Sequence, residues 1–276
     1  MTAALTRVRT IENREDLLRH PVTAEELRDR CVVLKAAAGG NGETVSTVRQ
    51  VLPWMELWRD HPSWEAGVWR CVVDGEEDTP VYTAYRPRTL DFHTDMSRYL
   101  LPPEFTIIRC LVQDSEGGDN LILHIDDMFE RLRRLGRSDI IELLTAKRRL
   151  NMEARHLGPT RQLPAPDAVS AALAVLAVPG DPGVPCRIFD RHGATKGSHL
   201  ELTAAEESLF DEFLDLCAKE SAAVQLRLEP HDILVFSNWR LMHARLACGG
   251  SGRITEICMG NVPGAGAPRM DPAGAA

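Results

Sequence analysis

Two groups of short apolar runs, on either side of a helical stretch, constrain the fold of this chain most strongly. The first group contains Phe105–Val112 (FTIIRCLV) and Asn120–His124, joined by the turn DSEGGDN. The second contains residues 233–236 and 253–260, again next to turns that carry Gly or Pro. Such runs, rich in β-branched residues and bounded by turn residues, are typical of strands. We therefore expect a mainly β protein with flanking helices, built around one barrel-like core.

The stretch between the two groups predicts helices, the clearest of which is an amphipathic run at residues 202–219. No Pro-, Gly- or Ser-rich linker divides the chain into separate units. We expect a single domain over residues 1–262, in which residues from about 138 to 220 form a helical insertion or lid. The Gly-, Pro- and Ala-rich tail, residues 263–276, is expected to be disordered.

Composition excludes several classes of partner. The formal net charge is -8, from 32 basic and 40 acidic residues, which argues against a nucleic acid or an anionic membrane surface. The seven cysteines are odd in number and contain no CxxC pair, as in a protein with reduced thiols. No run approaches the roughly 20 apolar residues of a membrane span, and the first residues lack the apolar core of a signal peptide. We expect a cytoplasmic protein that binds a small molecule, and a homodimer is compatible with the sequence.

A candidate metal site begins in the segment DFHTDMS. Residues i and i+2 of a strand face the same side, so His93 and Asp95 can offer an imidazole and a carboxylate to one ion. The pair alone is weak evidence for a metal site, because a chain with nine His can contain such a pair by chance. His243 follows the apolar run ILVFSNWRLM and supplies a second imidazole. Two His and one carboxylate leave coordination positions open, as non-haem iron(II) oxygenases require.

Arg253 adds a second element to this constellation. It stands ten residues after His243, at the start of another apolar run. A guanidinium can bind the distal carboxylate of a dicarboxylate through two parallel hydrogen bonds. The combination of His93, Asp95, His243 and Arg253 is therefore much more specific than any one of its parts.

Two segments of the chain resemble the metal-site halves of a known family. HTDMSRYLLPPEFTIIRCLVQDSEGGDNLILHIDDMFERL and LRLEPHDILVFSNWRLMHARLACGGSGRITEI are similar to those of the taurine dioxygenase-like and clavaminate synthase-like 2-oxoglutarate oxygenases. The resemblance implies a double-stranded β-helix core (a jelly-roll, cupin-like barrel) that uses Fe(II), 2-oxoglutarate and O2. It also implies that His93, Asp95 and His243 hold the iron and that Arg253 binds 2-oxoglutarate. Asn120 stands where the family usually has a Thr that binds the same carboxylate.

The resemblance also implies a class of reaction. Members of the family hydroxylate, desaturate or cyclise an unactivated C–H position of a small molecule. By analogy we expect a free or modified amino acid, or an intermediate of natural-product biosynthesis. Related halogenases replace the carboxylate ligand with a small residue, whereas this chain keeps Asp95. Oxygenation is therefore favoured over halogenation.

Three further residues are interpreted in two ways. Arg245 matches the second Arg of the family's distal ligand motif. It either lies near the co-substrate, which makes it a candidate for substrate binding, or is a structural ion-pair partner, which we favour. Arg109 lies in FTIIRCLV, and it becomes a substrate-binding candidate if it faces the interior, where a buried cation is unusual. His124 lies where a strand meets a helix, and a surface or capping role is favoured over one at the site.

Two other functions remain open at this stage. A metal-dependent hydrolase could use the same His, Asp and His, although such enzymes usually add a general base and further acidic ligands. A barrel without catalytic activity could also retain the fold. Arg253 has no role in the hydrolase alternative, and the complete set of four residues argues against the non-catalytic one.

Overall fold

The computed structural model describes residues 7–40, 42–58, 67–73, 83–97, 99, 101–149, 173–191, 202–220, 223–250 and 252–263. The strands are β1 (Val8–Ile11), β2 (Cys31–Leu34), β3 (Glu56–Leu57), β4 (Trp69–Val72), β5 (Leu90–His93), β6 (Phe105–Val112), β7 (Asn120–His124), β8 (Arg148–Arg149), β9 (Leu173–Ala174), β10 (Val224–Leu226), β11 (Ile233–Ser237), β12 (Leu241–Arg245) and β13 (Ile254–Asn261). The helices are α1 (Arg14–Arg19), α2 (Ala24–Asp29), α3 (Ala36–Gly39), α4 (Thr44–Val51), α5 (Ile125–Arg134), α6 (Ser138–Thr145) and α7 (Ala204–Ala218), with a short 3-10 helix at Thr83–Tyr85.

Two sheets form the core. The large sheet has the order β1-β2-β11-β6-β13-β3, and β4 also pairs with β13. The small sheet has the order β10-β7-β12-β5. β6 is central because it pairs antiparallel with β11 on one side and with β13 on the other. Strands from both halves of the chain therefore alternate within each sheet, as the two groups of apolar runs predict.

Alternating side chains of the large sheet separate an interior from an outer layer. Ile108 of β6 and Phe236 of β11 pack with Ile122 and Leu241 of the small sheet, so this cluster fills the space between the sheets. Phe105 and the other residues of its parity face the opposite side, where they pack on residues of the N-terminal helices. The interior between the sheets is where a ligand of the barrel would lie.

The outer face of the small sheet is covered by α5, α6 and α7. Leu123 of β7 and Met242 of β12 pack there against Phe129, Leu144 and Phe213 of the three helices. The predicted amphipathic run at 202–219 is confirmed as α7, which begins with a capping box between Thr203 and Glu206. The prediction of a mainly β core with flanking helices is likewise confirmed. Among the described helices, none combines the length and apolar character needed to cross a membrane.

Candidate metal centre

The pairing of β5 with β12 brings the two predicted histidines together. His243 lies directly opposite His93 in the antiparallel register of these strands. Their imidazole ring centroids are 4.1 Å apart, and the ring planes are inclined by 43°. His243 has the same parity as Leu241, so it faces the interior, where its ring lies 5.0 Å from that of Phe236. Two residues that are far apart in the chain thus share one site.

Asp95 completes the cluster from the turn after β5. Its Oδ1 is 3.8 Å from His93 Nε2, and its Oδ2 is 3.6 Å from His243 Nε2. One ligand atom of each residue lies within 4.8 Å of the other two. These separations are too long for hydrogen bonds, but they suit an ion bonded to each donor at about 2.0–2.2 Å. The three residues converge as predicted, although the expectation that Asp95 belongs to the same strand as His93 is wrong.

Asn238 fixes the backbone on which Asp95 stands. This fully buried residue lies in the turn between β11 and β12. Its Oδ1 accepts the N–H of Asp95 at 2.7 Å, and its Nδ2 donates to the Asp95 carbonyl at 2.9 Å and to the Pro103 carbonyl at 3.0 Å. The same turn leads into β12 and His243. Asn238 therefore sets the position of the carboxylate relative to the second imidazole.

The protonation of both imidazoles suits metal coordination. His93 Nδ1 lies 2.8 Å from the carbonyl of Asp91, so it carries the proton and leaves the Nε2 lone pair directed towards Asp95. Burial lowers the pKa of His243 to about 3, and nearby His93 acts in the same direction against the opposing effect of Asp95. Each ring thus offers a nitrogen beside a carboxylate, which is the donor set that iron(II) takes in non-haem oxygenases.

A buried cation without a counter-charge lies in the same interior. Arg253 is 4% exposed, and its Nη2 donates to Asn120 Oδ1 at 3.1 Å. Neither Arg253 Nε nor Asn120 Nδ2 has a hydrogen-bond partner, although both atoms are buried. No carboxylate among the described residues pairs with Arg253. Its pKa is lowered, first by burial and then by the neighbouring Arg245. Such a group is costly unless an anion joins it.

Two glycines allow the turn before β7 to approach this arginine. A Cβ added to Gly117 would lie 2.1 Å from the carbonyl oxygen of Ala247, and one added to Gly118 would lie 2.9 Å from Arg253 Cδ. Gly118 also has φ +71°, which other residues rarely adopt. Its N–H donates to the Ala247 carbonyl at 2.9 Å. The Gly-Gly pair therefore lets the chain pack directly on the stem of Arg253.

Arg245 lies beside Arg253 and has a structural role. Its guanidinium donates to the backbone carbonyls of Ala84, Arg86 and Arg88, the last at 2.8 Å. These bonds attach the segment before β5 to β12. The structural role that we favoured is supported, but its partners are carbonyl groups rather than an acidic side chain. Both Nη atoms of Arg245 are occupied by these carbonyls, which favours the structural role over substrate binding.

Arg109 lies on the wrong face of β6 for a substrate contact. It is buried as anticipated, but it has the parity of Phe105 and faces the N-terminal helices. Its Nη1 donates to the Gly42 carbonyl at 2.5 Å and to Thr44 Oγ1 at 3.0 Å. The proposed substrate role of Arg109 is therefore corrected: it holds the loop before α4 against the large sheet.

The structure brings one further residue to the site. Thr106, on the interior face of β6, donates its hydroxyl to Asp95 Oδ2 at 3.0 Å. Every residue of β6 from Phe105 to Cys110 is buried, so hydropathy gives no alternation from which the inward face could be identified. Asn238 was part of the motif before His243, but nothing in the sequence showed that its amide contacts Asp95.

His124 and Arg187 bind backbone groups away from the cluster. His124 caps α5, because its Nδ1 accepts the N–H of Asp126 at 3.2 Å, and this confirms the favoured capping role. Arg187 donates to the carbonyls of Ser97 and Tyr99 at 2.7 and 2.6 Å.

Comparisons with known proteins agree with this geometry. Residues 34–259 match the model of the taurine catabolism dioxygenase TauD, TfdA family. The human gamma-butyrobetaine dioxygenase is 24% identical over 166 residues, which cover 59% of this chain and 41% of that protein. The chain thus spans less than half the length of this curated relative.

Two solved structures share the fold. A taurine dioxygenase from Burkholderia xenovorans has a TM-score of 0.55 and 16% identity, over 85% of this chain and 78% of that one. An asparagine oxygenase in complex with Fe(II), 2S,3S-3-hydroxyasparagine and succinate has a TM-score of 0.55 and 15% identity, over 92% of this chain and 83% of that one. The predicted jelly-roll core is confirmed by this likeness. With most of its length matched, the chain belongs to the TauD, TfdA family of dioxygenases.

Proposed function

We propose that this protein is an iron(II)- and 2-oxoglutarate-dependent dioxygenase that oxidises a C–H bond of a small molecule. One observation carries the proposal: a His-Asp-His cluster and an unneutralised buried arginine face the same interior. A structural metal site would have no use for the arginine. The structural Arg245 donates to three backbone carbonyls, whereas Arg253 donates only to Asn120 among the described residues. An anionic co-substrate of an open metal site explains both.

In this proposal His93, Asp95 and His243 hold the iron. His93 Nε2 and His243 Nε2 are the imidazole donors, and Asp95 supplies the carboxylate that offsets part of the charge of the ion. Iron(II), when bound with 2-oxoglutarate and O2, supplies the oxidising power for the C–H bond. The contribution of the chain is to fix three donors on one side and to leave the remaining positions open. Because Asp95 occupies the carboxylate position, we propose oxygenation, desaturation or ring formation rather than halogenation.

Arg253 and Asn120 bind the distal carboxylate of 2-oxoglutarate. The guanidinium of Arg253 keeps the Nε donor free, and Asn120 keeps Nδ2 free, so two donors without partners are available in one buried place. A carboxylate there would receive hydrogen bonds from a charged and a neutral group, and it would neutralise the buried cation. The Asn120 amide thus performs the part that a Thr hydroxyl takes in most of the family.

The substrate that we propose is a free or modified amino acid or a natural-product intermediate. The solved asparagine oxygenase, which shares the fold, is bound to a hydroxylated amino acid. Fold similarity alone is an argument by analogy. A screen of amino acids for substrate-dependent succinate formation, with mass spectrometry of the products, tests this part of the proposal.

We further propose a single domain over residues 1–262, in which residues from about 138 to 220 contribute to a lid over the substrate. The support comes from contacts of the described part of this segment with the metal-binding turn. Thr94, between two proposed iron ligands, donates its N–H to the Ile188 carbonyl at 2.8 Å and its hydroxyl to the Cys186 carbonyl at 3.0 Å. Hydrogen exchange at residues 186–190 should slow when metal and 2-oxoglutarate are added. Unchanged exchange would argue against the lid.

Succinate formation tests the enzyme class. Purified protein is incubated with Fe(II), 2-oxoglutarate, O2 and the substrate panel, and succinate is measured with and without a chelator. The proposal expects succinate from the wild type, its loss with chelator and its loss in His93→Ala. A hydrolase would act without 2-oxoglutarate or O2, and a non-catalytic barrel would form no product at all. Arg109→Lys is the matched control, because it changes a buried arginine on the other face of the large sheet.

A further inference from the structure

Asp95 has an unequal environment at its two carboxylate oxygens. Oδ2 accepts the hydroxyl hydrogen of Thr106 at 3.0 Å. Oδ1 accepts no hydrogen bond from the described residues, and its neighbour in the cluster is His93 Nε2 at 3.8 Å. One oxygen is therefore held by the protein, whereas the other is free to bind an ion.

The hydroxyl of Thr106 stands in an otherwise apolar wall. Thr106 is fully buried in the central strand β6, where Phe236 of β11 and Met259 of β13 are its direct neighbours. Both neighbours belong to the interior apolar cluster. A valine would fill the same volume and has high strand propensity, and it would avoid the cost of burying a hydroxyl. The hydrogen bond from the Thr106 hydroxyl to Asp95 is what offsets that cost.

The backbone and the side chain of Asp95 are fixed by different residues. Asn238 bonds to both the N–H and the carbonyl of Asp95, so the Cα position is determined by the turn between β11 and β12. This leaves rotation of the side chain, which the Asn238 contacts do not restrict. Thr106 approaches from the large sheet and removes that freedom through Oδ2. The carboxylate orientation thus depends on a residue from the opposite sheet.

We propose that Thr106 is a positioning residue that holds the Asp95 carboxylate in the orientation needed to bind the metal. It acts through Asp95 and does not itself contact the ion. Hydrogen bonds to ligating carboxylates preorganise a metal site, and their loss typically weakens metal affinity or activity about 10- to 100-fold. The proposal rests on the proposed iron site and adds a residue that the metal-binding motif does not contain.

Co(II) titration of the metal-free protein tests this without turnover. Thr106→Val removes the hydroxyl with little change of volume, and Thr106→Ser retains it. Thr47→Val is the matched control, because Thr47 is equally buried but lies in α4, on the far side of the large sheet. We expect Co(II) affinity to fall about 10- to 100-fold in Thr106→Val, to return close to the wild-type value in Thr106→Ser, and to remain unchanged in Thr47→Val. The free energy of unfolding of the metal-free Thr106→Val protein should be close to that of the wild type.

The outcomes separate this proposal from the proposed function. If the wild type binds no Co(II), the metal site itself is refuted, and the role of Thr106 with it. If the wild type binds Co(II) and Thr106→Val binds equally well, only the positioning role is refuted. A Thr106→Ser protein whose Co(II) affinity is as low as that of Thr106→Val would also refute the positioning role. Thr106→Ala serves the same comparison if valine prevents folding.

Discussion

Arg253 and Asn120 meet inside the barrel through one hydrogen bond, from Nη2 to Oδ1 at 3.1 Å, and each keeps a buried donor without a partner. Asn120 Oδ1 accepts the hydrogen bond from Arg253, and this fixes the orientation of the amide. Nδ2 is then available as a donor. The pair is thus prepared for an acceptor that neither residue provides. This relationship supports 2-oxoglutarate binding more directly than the arginine alone.

Asn120→Leu should weaken 2-oxoglutarate binding. The substitution removes the free Nδ2 donor and the acceptor that orients Arg253. Hydrogen bonds to charged groups contribute about 1.5–3 kcal/mol, so we expect the dissociation constant to rise by roughly 10- to 100-fold. Calorimetry with Co(II)-loaded protein measures it. Asn120→Thr, which restores the usual family residue, should retain most of the affinity, and equal losses in both variants would contradict the assignment.

Arg253→Met should stabilise the ligand-free protein and abolish its response to 2-oxoglutarate. The wild type bears the cost of a desolvated cation with no counter-charge, and we expect its removal to raise the free energy of unfolding by roughly 1 kcal/mol or more. In metal-loaded wild type, 2-oxoglutarate at about 100 times its dissociation constant should add about 2.7 kcal/mol. Denaturant unfolding with and without the co-substrate gives both values. Stabilisation of Arg253→Met by 2-oxoglutarate would show that the anion binds elsewhere.

Gly118→Ala should destabilise the protein more than Gly136→Ala does. Both glycines have a left-handed backbone, with φ +71° and +68°, so both substitutions incur a similar conformational cost of about 1 kcal/mol. A Cβ at Gly136 meets nothing within 4 Å, whereas one at Gly118 lies 2.9 Å from Arg253 Cδ. The difference between the two unfolding free energies reports the close contacts of the added Cβ, of which the one with Arg253 is the shortest and those with Cys248 Sγ and Asp114 Cβ are 3.2 and 3.3 Å. Gly118→Ala should also weaken 2-oxoglutarate binding, and Gly136→Ala should not.

The lowered pKa of His124 predicts that acid destabilises the metal-free protein. Burial and then Arg7 lower its pKa, while Asp126 acts in the opposite direction. The unfolded chain has a histidine pKa of about 6.5, so below this pH the unfolded state binds a proton more readily than the folded state. The stability present above pH 6.5 should therefore decrease as the pH falls through the lower, folded pKa. His124→Asn keeps a capping side chain and should reduce this slope in unfolding measured from about pH 7 to 5. An unchanged slope would exclude His124 as a source.

Sequence patterns identified the His-Asp-His cluster because its residues are tied to local features. His93 and Asp95 are two positions apart, and His243 follows a strong apolar run, so topology alone had to bring the two parts together. Arg253 was identifiable because it stands ten residues after His243, directly before the residues that form β13. Turn residues and hydrophobic periodicity likewise predicted the strands β6 and β7 and the helix α7.

Arg109 and Thr106 show where the sequence ceased to be informative. Both belong to β6, whose residues from Phe105 to Cys110 are buried on both faces, since helices cover one side and the small sheet the other. Without a polar face, alternation does not show which parity points inwards. We therefore considered Arg109 for the site, whereas Thr106 is the β6 residue that contacts Asp95. Packing of the N-terminal helices decides this, and it is a long-range property.

A crystal structure of the protein with Fe(II) and the 2-oxoglutarate analogue N-oxalylglycine, with anomalous scattering recorded at the iron edge, tests the proposed site most directly. We expect one anomalous peak within bonding distance of His93 Nε2, His243 Nε2 and a carboxylate oxygen of Asp95. We also expect the distal carboxylate of the analogue to lie against Arg253 and Asn120. An iron peak elsewhere, or an analogue that leaves Arg253 without an anionic partner, would contradict the proposed site.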